Sequence, residues 1–247
     1  MAVASNTTTQ PTPQSTTYTF YFGGELFSSK HLLGNAVLAE SIFQRSHGKY
    51  QAVLPQNLEQ RDDTTPHAIR DSDIQALLAC DLGLFHYDGP ELDSGTVVEF
   101  MLAKFADMPA VLVRSDFRGG GDQAAGAGEP WNLMSSFFPR TASVVVDAMA
   151  LYKRGMAALV PEAPANVGDM LKENRSARAG QAMIDVTADA VIVAFDKVVA
   201  MPSIMPTPMQ DTIYQWLAVM PGFKHSGEHQ VARLKELCAA KKAKGLL

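Results

Sequence analysis

From Tyr18 onward, short apolar runs alternate with longer stretches in which apolar residues recur every three or four positions. Tyr18 to Phe22 is aromatic and β-branched and closes on Gly23-Gly24, the signature of a buried strand. Leu33, Val37 and Ile42 recur at helical spacing through residues 29–46. Tyr50 to Leu54 reads as a second strand stopped by Pro55. Ile69, Ile74, Leu77 and Leu78 mark a second helix beyond a polar loop. Asp81 to Tyr87 is a third strand, followed by the turn-rich segment DGPELDSG. Asp93 or Ser94 is placed to cap a helix from Gly95 to about Asp107. Pro109 to Val113 and Ser143 to Val146 complete a set of five strands.

Strands that alternate with helices imply βαβ units and a parallel sheet. The expected fold is α/β: a flavodoxin-like, doubly wound, five-stranded parallel sheet with a C-terminal helical extension. Ligands of such sheets bind beyond the carboxyl ends of the strands. That rule gathers Gly23-Gly24, Gln56-Asn57, His86 to Ser94 and Arg114 to Asn132 at one edge. Residues 1–17 are rich in Thr, Gln, Pro and Ser and are expected to be a disordered tail. Residues 18–160 form the α/β domain, and residues 161–247 the extension. PEAPANVG is expected to act as a linker, and GGGDQAAGAG (119–128) as a mobile surface loop. Within the extension, helices are expected over residues 177–200, 211–219 and 228–244. Lys241, Lys242 and Lys244 form a solvated cationic terminus there.

The chain has 247 residues, of which 47% are hydrophobic and 19% charged, with a net charge of −5. This is ample for a core and lacks the cationic face that a nucleic-acid polymer requires. No apolar run approaches the roughly 20 residues of a membrane span. The opening residues lack the apolar stretch of a secretion signal, so a cytoplasmic location is expected. Two cysteines, Cys80 and Cys238, supply neither a disulfide framework nor a four-thiolate metal site. Both are expected to be plain buried thiols. None of the six histidines belongs to an HExxH motif, and no metal or cofactor is expected.

Acidic groups concentrate between residues 71 and 99: Asp71, Asp73, Asp81, Asp88, Glu91, Asp93 and Glu99. Asp88-Gly89 is a turn signal, and Asp81 opens a strand. Glu99 differs, because it lies one turn inside an otherwise apolar helix that begins at the ligand edge. The helix dipole there is expected to keep a partly dry carboxylate ionised, as a nucleophile toward a sugar anomeric carbon must be. Asp73 and Asp93 are placed to contact sugar hydroxyls or to move a proton. The alternatives are an exposed helix position for Asp73 and a plain cap for Asp93.

The constellation resembles the nucleoside 2-deoxyribosyltransferase family over roughly residues 18–150. The resemblance rests on Tyr21-Phe22-Gly23-Gly24 with Phe27, on Asp73 followed eight residues on by Asp81, on Asp93-Ser94-Gly95-Thr96-Val97-Val98-Glu99, and on Asn132-Leu133-Met134. It implies base exchange on a 2′-deoxynucleoside by double displacement, with retention at C1′ and without a cofactor. By the same resemblance Glu99 matches the nucleophile and Tyr21 the tyrosine that orients it. Asp73 and Asp93 match aspartates that contact substrate and assist proton transfer. Gly23 and Phe27 match the substrate pocket, and Gln56 looks similar to a base-contacting glutamine. Asn132 and Met134 match residues that reach into a neighbouring subunit, so a homo-oligomer is implied. Relatives usually end near residue 160, in some with a terminal carboxylate completing the site; here 87 further residues follow. Three alternatives use the same residues: an N-glycoside hydrolase of nucleosides or nucleotides, a phosphoribohydrolase suggested by Gly95-Thr96-Val97-Val98-Glu99, and a non-enzymatic nucleoside sensor with the extension as its output.

Overall fold

A computed structural model describes residues 16–58, 65–116, 118, 129–159, 174–224 and 227–247. The GGGDQAAGAG loop, the PEAPANVG linker, His225 and nearly all of the amino-terminal tail lie outside the described residues.

Five strands, β1 (Tyr18–Gly23), β2 (Tyr50–Val53), β3 (Leu82–His86), β4 (Ala110–Arg114) and β5 (Thr141–Val145), form one sheet. Its order is β2-β1-β3-β4-β5 and every pair is parallel. This is the expected doubly wound arrangement. Both faces are covered, so the central strands read as continuous apolar runs; in β4 every residue is buried. The last of them, Arg114, is 1% exposed, and its guanidinium donates to Tyr87 O at 2.6 Å and Gly89 O at 3.2 Å. A buried cation is thereby turned into a clamp between the carboxyl ends of β3 and β4.

Alternation along β1 decides which side chain meets which layer. Phe20 and Phe22 point toward α1 (Ser29–Arg45) and α6 (Arg175–Val199), packing with Leu38, Ile42, Val191, Phe195 and Val198. Tyr21 points to the opposite face, among residues of α3 (Pro66–Ala79) and α4 (Ser94–Phe105) such as Leu77 and Phe100. A short helix α2 (Pro55–Leu58) follows β2, and α5 (Ala148–Ala158) follows β5. The sequence pattern gave no sign of α5: its only fully buried apolar residue is Leu151, too little to set a helical stripe.

The C-terminal helices are layers of the sandwich. Helix α6 covers β4 and β5 and is tied to α1 by Arg45–Asp189 and to β2 by Tyr50 Oη donating to Asp196 at 2.6 Å. On the other face α7 (Thr207–Leu217) and α8 (Glu228–Ala243) add Tyr214, Leu217, Leu234 and Cys238 to the core around α3 and α4. Both cysteines are buried free thiols, as expected.

The cationic terminus is solvated only in part: Lys242 and Lys244 keep exposed surface, and Lys241 does not. Lys241 is 3% exposed and donates to Cys80 O, while Lys244 donates to the Asp81 carboxylate at 2.7 Å. Lys241 falls on the same face of α8 as Leu234 and Cys238, seven and three residues earlier, so the packing that buries them buries it too. Arg140 donates to Leu246 O at 2.9 Å. The final residues are thus fastened where β3 and β5 begin, at the edge opposite the expected ligand side. Among the described residues, no helix is long and apolar enough to cross a membrane.

Candidate active site

The site forms where β1 ends against the first turns of α4. Asp93 caps that helix, its Oδ2 accepting from Thr96 N at 2.7 Å and from Thr96 Oγ1 at 2.8 Å. Capping fixes the direction of the first turn, and Glu99 follows on the side facing β1. Tyr21 Oη, projecting from β1 onto that face, donates to Glu99 Oε1 at 2.7 Å. Gly23 completes the contact. A Cβ built there would lie 2.8 Å from Glu99 Oε2 and 2.7 Å from the Phe85 ring, so only glycine lets the carboxylate approach this closely.

The Glu99 carboxyl is pushed up to about 7, first by burial and then by the negative charges of Asp73 and Asp93, against the opposing Tyr21 hydrogen bond. Burial therefore leaves Glu99 only partly ionised at pH 7. Tyr21 is itself raised, by burial and then by Glu99, so its hydroxyl stays a proton donor. Asp73 reaches both groups electrostatically from α3. Three elements thus bring together Tyr21, Gly23, Asp73, Asp93 and Glu99. Asp93 performs the capping task and acts on Glu99 electrostatically as well.

The other predicted residues stand apart. Phe27 lies in the β1–α1 loop with 76% of its surface exposed. Gln56, on α2, donates through Nε2 to Leu32 O at 3.0 Å and accepts from Asn35 Nδ2 at 3.4 Å, so its amide is turned onto α1. Asn132 caps a 3₁₀ turn (Leu133–Ser135) by accepting from Met134 N at 2.9 Å. Asn132 and Met134 line a cavity with Val97, Val98 and Trp131, and Met134 is 82% exposed.

A cleft on the α1/α6 face of the same edge is lined by Lys30, His31, His86, Asp88, Ser115 and Thr187. His86 is not a surface group: it stacks on Phe22 at 5.1 Å, with Nδ1 3.7 Å from Asp88. Burial would raise the Asp88 carboxyl, but His86 and Ser115 hold it well below the usual range. Its oxygens accept from Ser115 N and Oγ, both at 2.6 Å, which makes Asp88 a brace between β3 and β4 rather than a free acid. Sequence reasoning dismissed Asp88 as a turn residue, and the Asp-Gly pair was the visible signal. Among the described residues, no group of three His, Cys, Asp or Glu is placed to hold a metal ion.

Residues 20–134 match the family model described as Nucleoside 2-deoxyribosyltransferase. Among solved structures, a conserved protein from Enterococcus faecalis V583 is 26% identical, with a TM-score of 0.45 over 54% of this chain and 94% of that one. A 2-desoxiribosyltransferase from Leishmania mexicana is 20% identical, with a TM-score of 0.41 over 58% of this chain and 99% of that one. No curated protein sequence matches the chain. The matched segment begins two residues into β1 and ends in the turn capped by Asn132, so it spans Glu99 and the four residues assembled around it. Over residues 20–134, a little under half of its length, the chain is similar to the nucleoside 2-deoxyribosyltransferase family.

Proposed function

We propose that the chain moves a 2-deoxyribosyl group between nucleobases by double displacement through a covalent glycosyl-Glu99 intermediate, with retention at C1′. The observation that carries this reading is the Tyr21–Glu99 hydrogen bond of 2.7 Å, which aims a buried carboxylate with Asp73 and Asp93 beside it. In the first step ionised Glu99 attacks C1′ of a 2′-deoxynucleoside. The C1′–N bond breaks toward the base, which gains a proton relayed by Asp73 or Asp93. Positive charge developing at C1′ is stabilised by the carboxylate before the bond closes. In the second step a nitrogen of another free base attacks C1′, the C1′–O bond returns its electrons to Glu99, and the incoming base loses a proton. Two inversions leave the configuration unchanged.

Gly23 lets the carboxylate reach the site. Phe27, exposed in the β1–α1 loop, is placed to be covered by bound substrate. Gln56 contacts the base only by exchanging its two bonds to α1. Asn132 and Met134, outward-facing beside exposed Leu133 and Phe137, serve the site of a second copy in a homo-oligomer.

The test is chromatography of 2′-deoxyinosine or thymidine incubated with a different free base, such as adenine or cytosine, using wild type and Glu99→Ala. A swapped deoxynucleoside from wild type and none from the variant is the expected result. Free base plus deoxyribose without a swapped product means that water resolves the intermediate, and the chain is then a hydrolase. No reaction across several pairs rejects the transferase reading.

A further inference from the structure

Asp71 is one of the acids of the 71–99 cluster for which base exchange has no use. It is 6% exposed. On a helix two residues are separated by about 200°, so Asp71 and Asp73 project from opposite sides of α3. Asp73 faces Glu99 and Tyr21. Asp71 faces the connection between α7 and α8: its Oδ2 accepts from Lys224 N at 2.7 Å. Arg70 lies 3.0 Å and His67 3.5 Å from the same carboxylate. The two side chains also reach the connection directly, His67 facing Gly222 O at 3.1 Å and Arg70 donating to Pro221 O and Gly222 O. Gly222 makes this possible with φ +65, which turns the backbone sharply. Lower on the helix, Arg233 of α8 donates to Gln75 at 2.5 Å. The extension therefore grips the outer side of the helix whose inner side carries Asp73. A buried carboxylate is costly unless paired, and a charge-assisted bond to a backbone amide is directional.

We propose that Asp71 is a positioning residue: by holding the Lys224 amide it locks the α7–α8 connection onto α3 and sets where Asp73 stands relative to Glu99. This rests on Glu99 being the nucleophile. The groups facing Glu99 are Tyr21 from β1, Asp73 from α3 and Asp93 from the cap of α4, and of these only Asp73 depends on α3. If α3 is released, Asp73 withdraws, its repulsion is lost, and Glu99 ionises more easily. A shift of about 1 Å in such a group costs on the order of 100-fold in rate.

Three variants of the full chain test this: Asp71→Ala, Asp71→Asn, and the exposed pair His67→Ala/Arg70→Ala. The readouts are the titration of Glu99 by carbon-13 carboxyl NMR, assigned with Glu99→Gln, and the kinetics of base exchange. Asp71→Ala is expected to lower the Glu99 midpoint and to reduce kcat about 100-fold. Asp71→Asn removes the same charge but keeps an acceptor for Lys224 N, and is expected to restore most of both. The double variant removes the positive charge of Arg70, which by direct electrostatics would raise the midpoint; a fall supports positioning. An Asp71→Ala protein with a lower Tm but the wild-type midpoint and kcat overturns the proposal. So does an Asp71→Asn protein whose midpoint falls and whose kcat drops about 100-fold although it keeps an acceptor for Lys224 N, and that variant decides the matter if Asp71→Ala does not fold. A wild type without exchange activity rejects the transferase reading, and the titration still decides the role of Asp71.

Discussion

Replacing Tyr21 with Phe removes one oxygen from the interior and one hydrogen bond, 2.7 Å long, from the Glu99 carboxylate. That bond stabilises the ionised form, so its loss raises the Glu99 midpoint above the wild-type value of about 7. A hydrogen bond to a charged group contributes about 1.5–3 kcal/mol, and one pH unit corresponds to about 1.4 kcal/mol, which gives a rise of about one to two units. At pH 7 the ionised fraction then drops from about half to between about one tenth and one hundredth. Only ionised Glu99 attacks C1′, so kcat/KM at pH 7 should fall roughly 5- to 50-fold and recover toward wild type as the pH rises past 9. The assay is the pH profile of kcat/KM for base exchange between pH 5 and 10, with folding checked by circular dichroism. A loss of equal size at every pH, or an acid limb displaced to lower pH, would refute the assignment of Tyr21 as the donor that keeps Glu99 ionisable.

The same carboxyl makes stability depend on pH. Its folded midpoint of about 7 exceeds the ordinary value of 4.5, so the fold binds this proton more tightly than the unfolded chain does. That contribution is complete below pH 4.5 and disappears as the pH rises through 7, a change on the order of 3 kcal/mol. Glu99→Gln should therefore raise Tm at pH 8 relative to wild type and leave it nearly unchanged at pH 4; equal Tm values at pH 8 would contradict the burial argument. Asp107 anchors the start of the extension, accepting from Ser203 Oγ at 2.7 Å, Ile204 N at 2.9 Å and Met205 N at 3.0 Å, with Arg140 3.1 Å away. Asp107→Ala leaves the Arg140 guanidinium buried without its counter-charge, and urea unfolding should show a loss of about 3–5 kcal/mol; a loss below 1 kcal/mol would mean that the extension is held without this pair.

Much of the molecule could be read locally. Strands β1 to β4 are largely apolar runs bounded on one side by Gly, Pro or a turn pair, and a parallel sheet covered on both faces imposes that pattern on its sequence. The Asp93 cap and Glu99 six residues later lie on one helix, where spacing alone fixes their relation. Helix α6 was visible because a 25-residue stretch with a regular apolar stripe has to bury it somewhere. What it buries against was not visible, since nothing in the stripe distinguishes a covering layer of the sheet from an appended bundle. Helix α5 was missed because it offers only one deeply buried position.

The amino-acid sequence by itself determined the fold class, the order of the elements and the set of acids from which the site is drawn. These follow from propensity, periodicity and capping, which act over a few residues. Only the tertiary structure decided how those acids differ. Glu99 owes its raised midpoint to burial and to the charges of Asp73 and Asp93, set against the hydrogen bond from Tyr21, three groups from three separate elements. Asp88 and Asp71 became structural acids through Ser115 and Lys224, 27 and 153 residues away. Lys241 became a buried donor because Cys80 O, 161 residues earlier, lies beneath it. Charge in a protein is set by desolvation and by partners within a few ångströms, and chain folding rather than chain order chooses those partners.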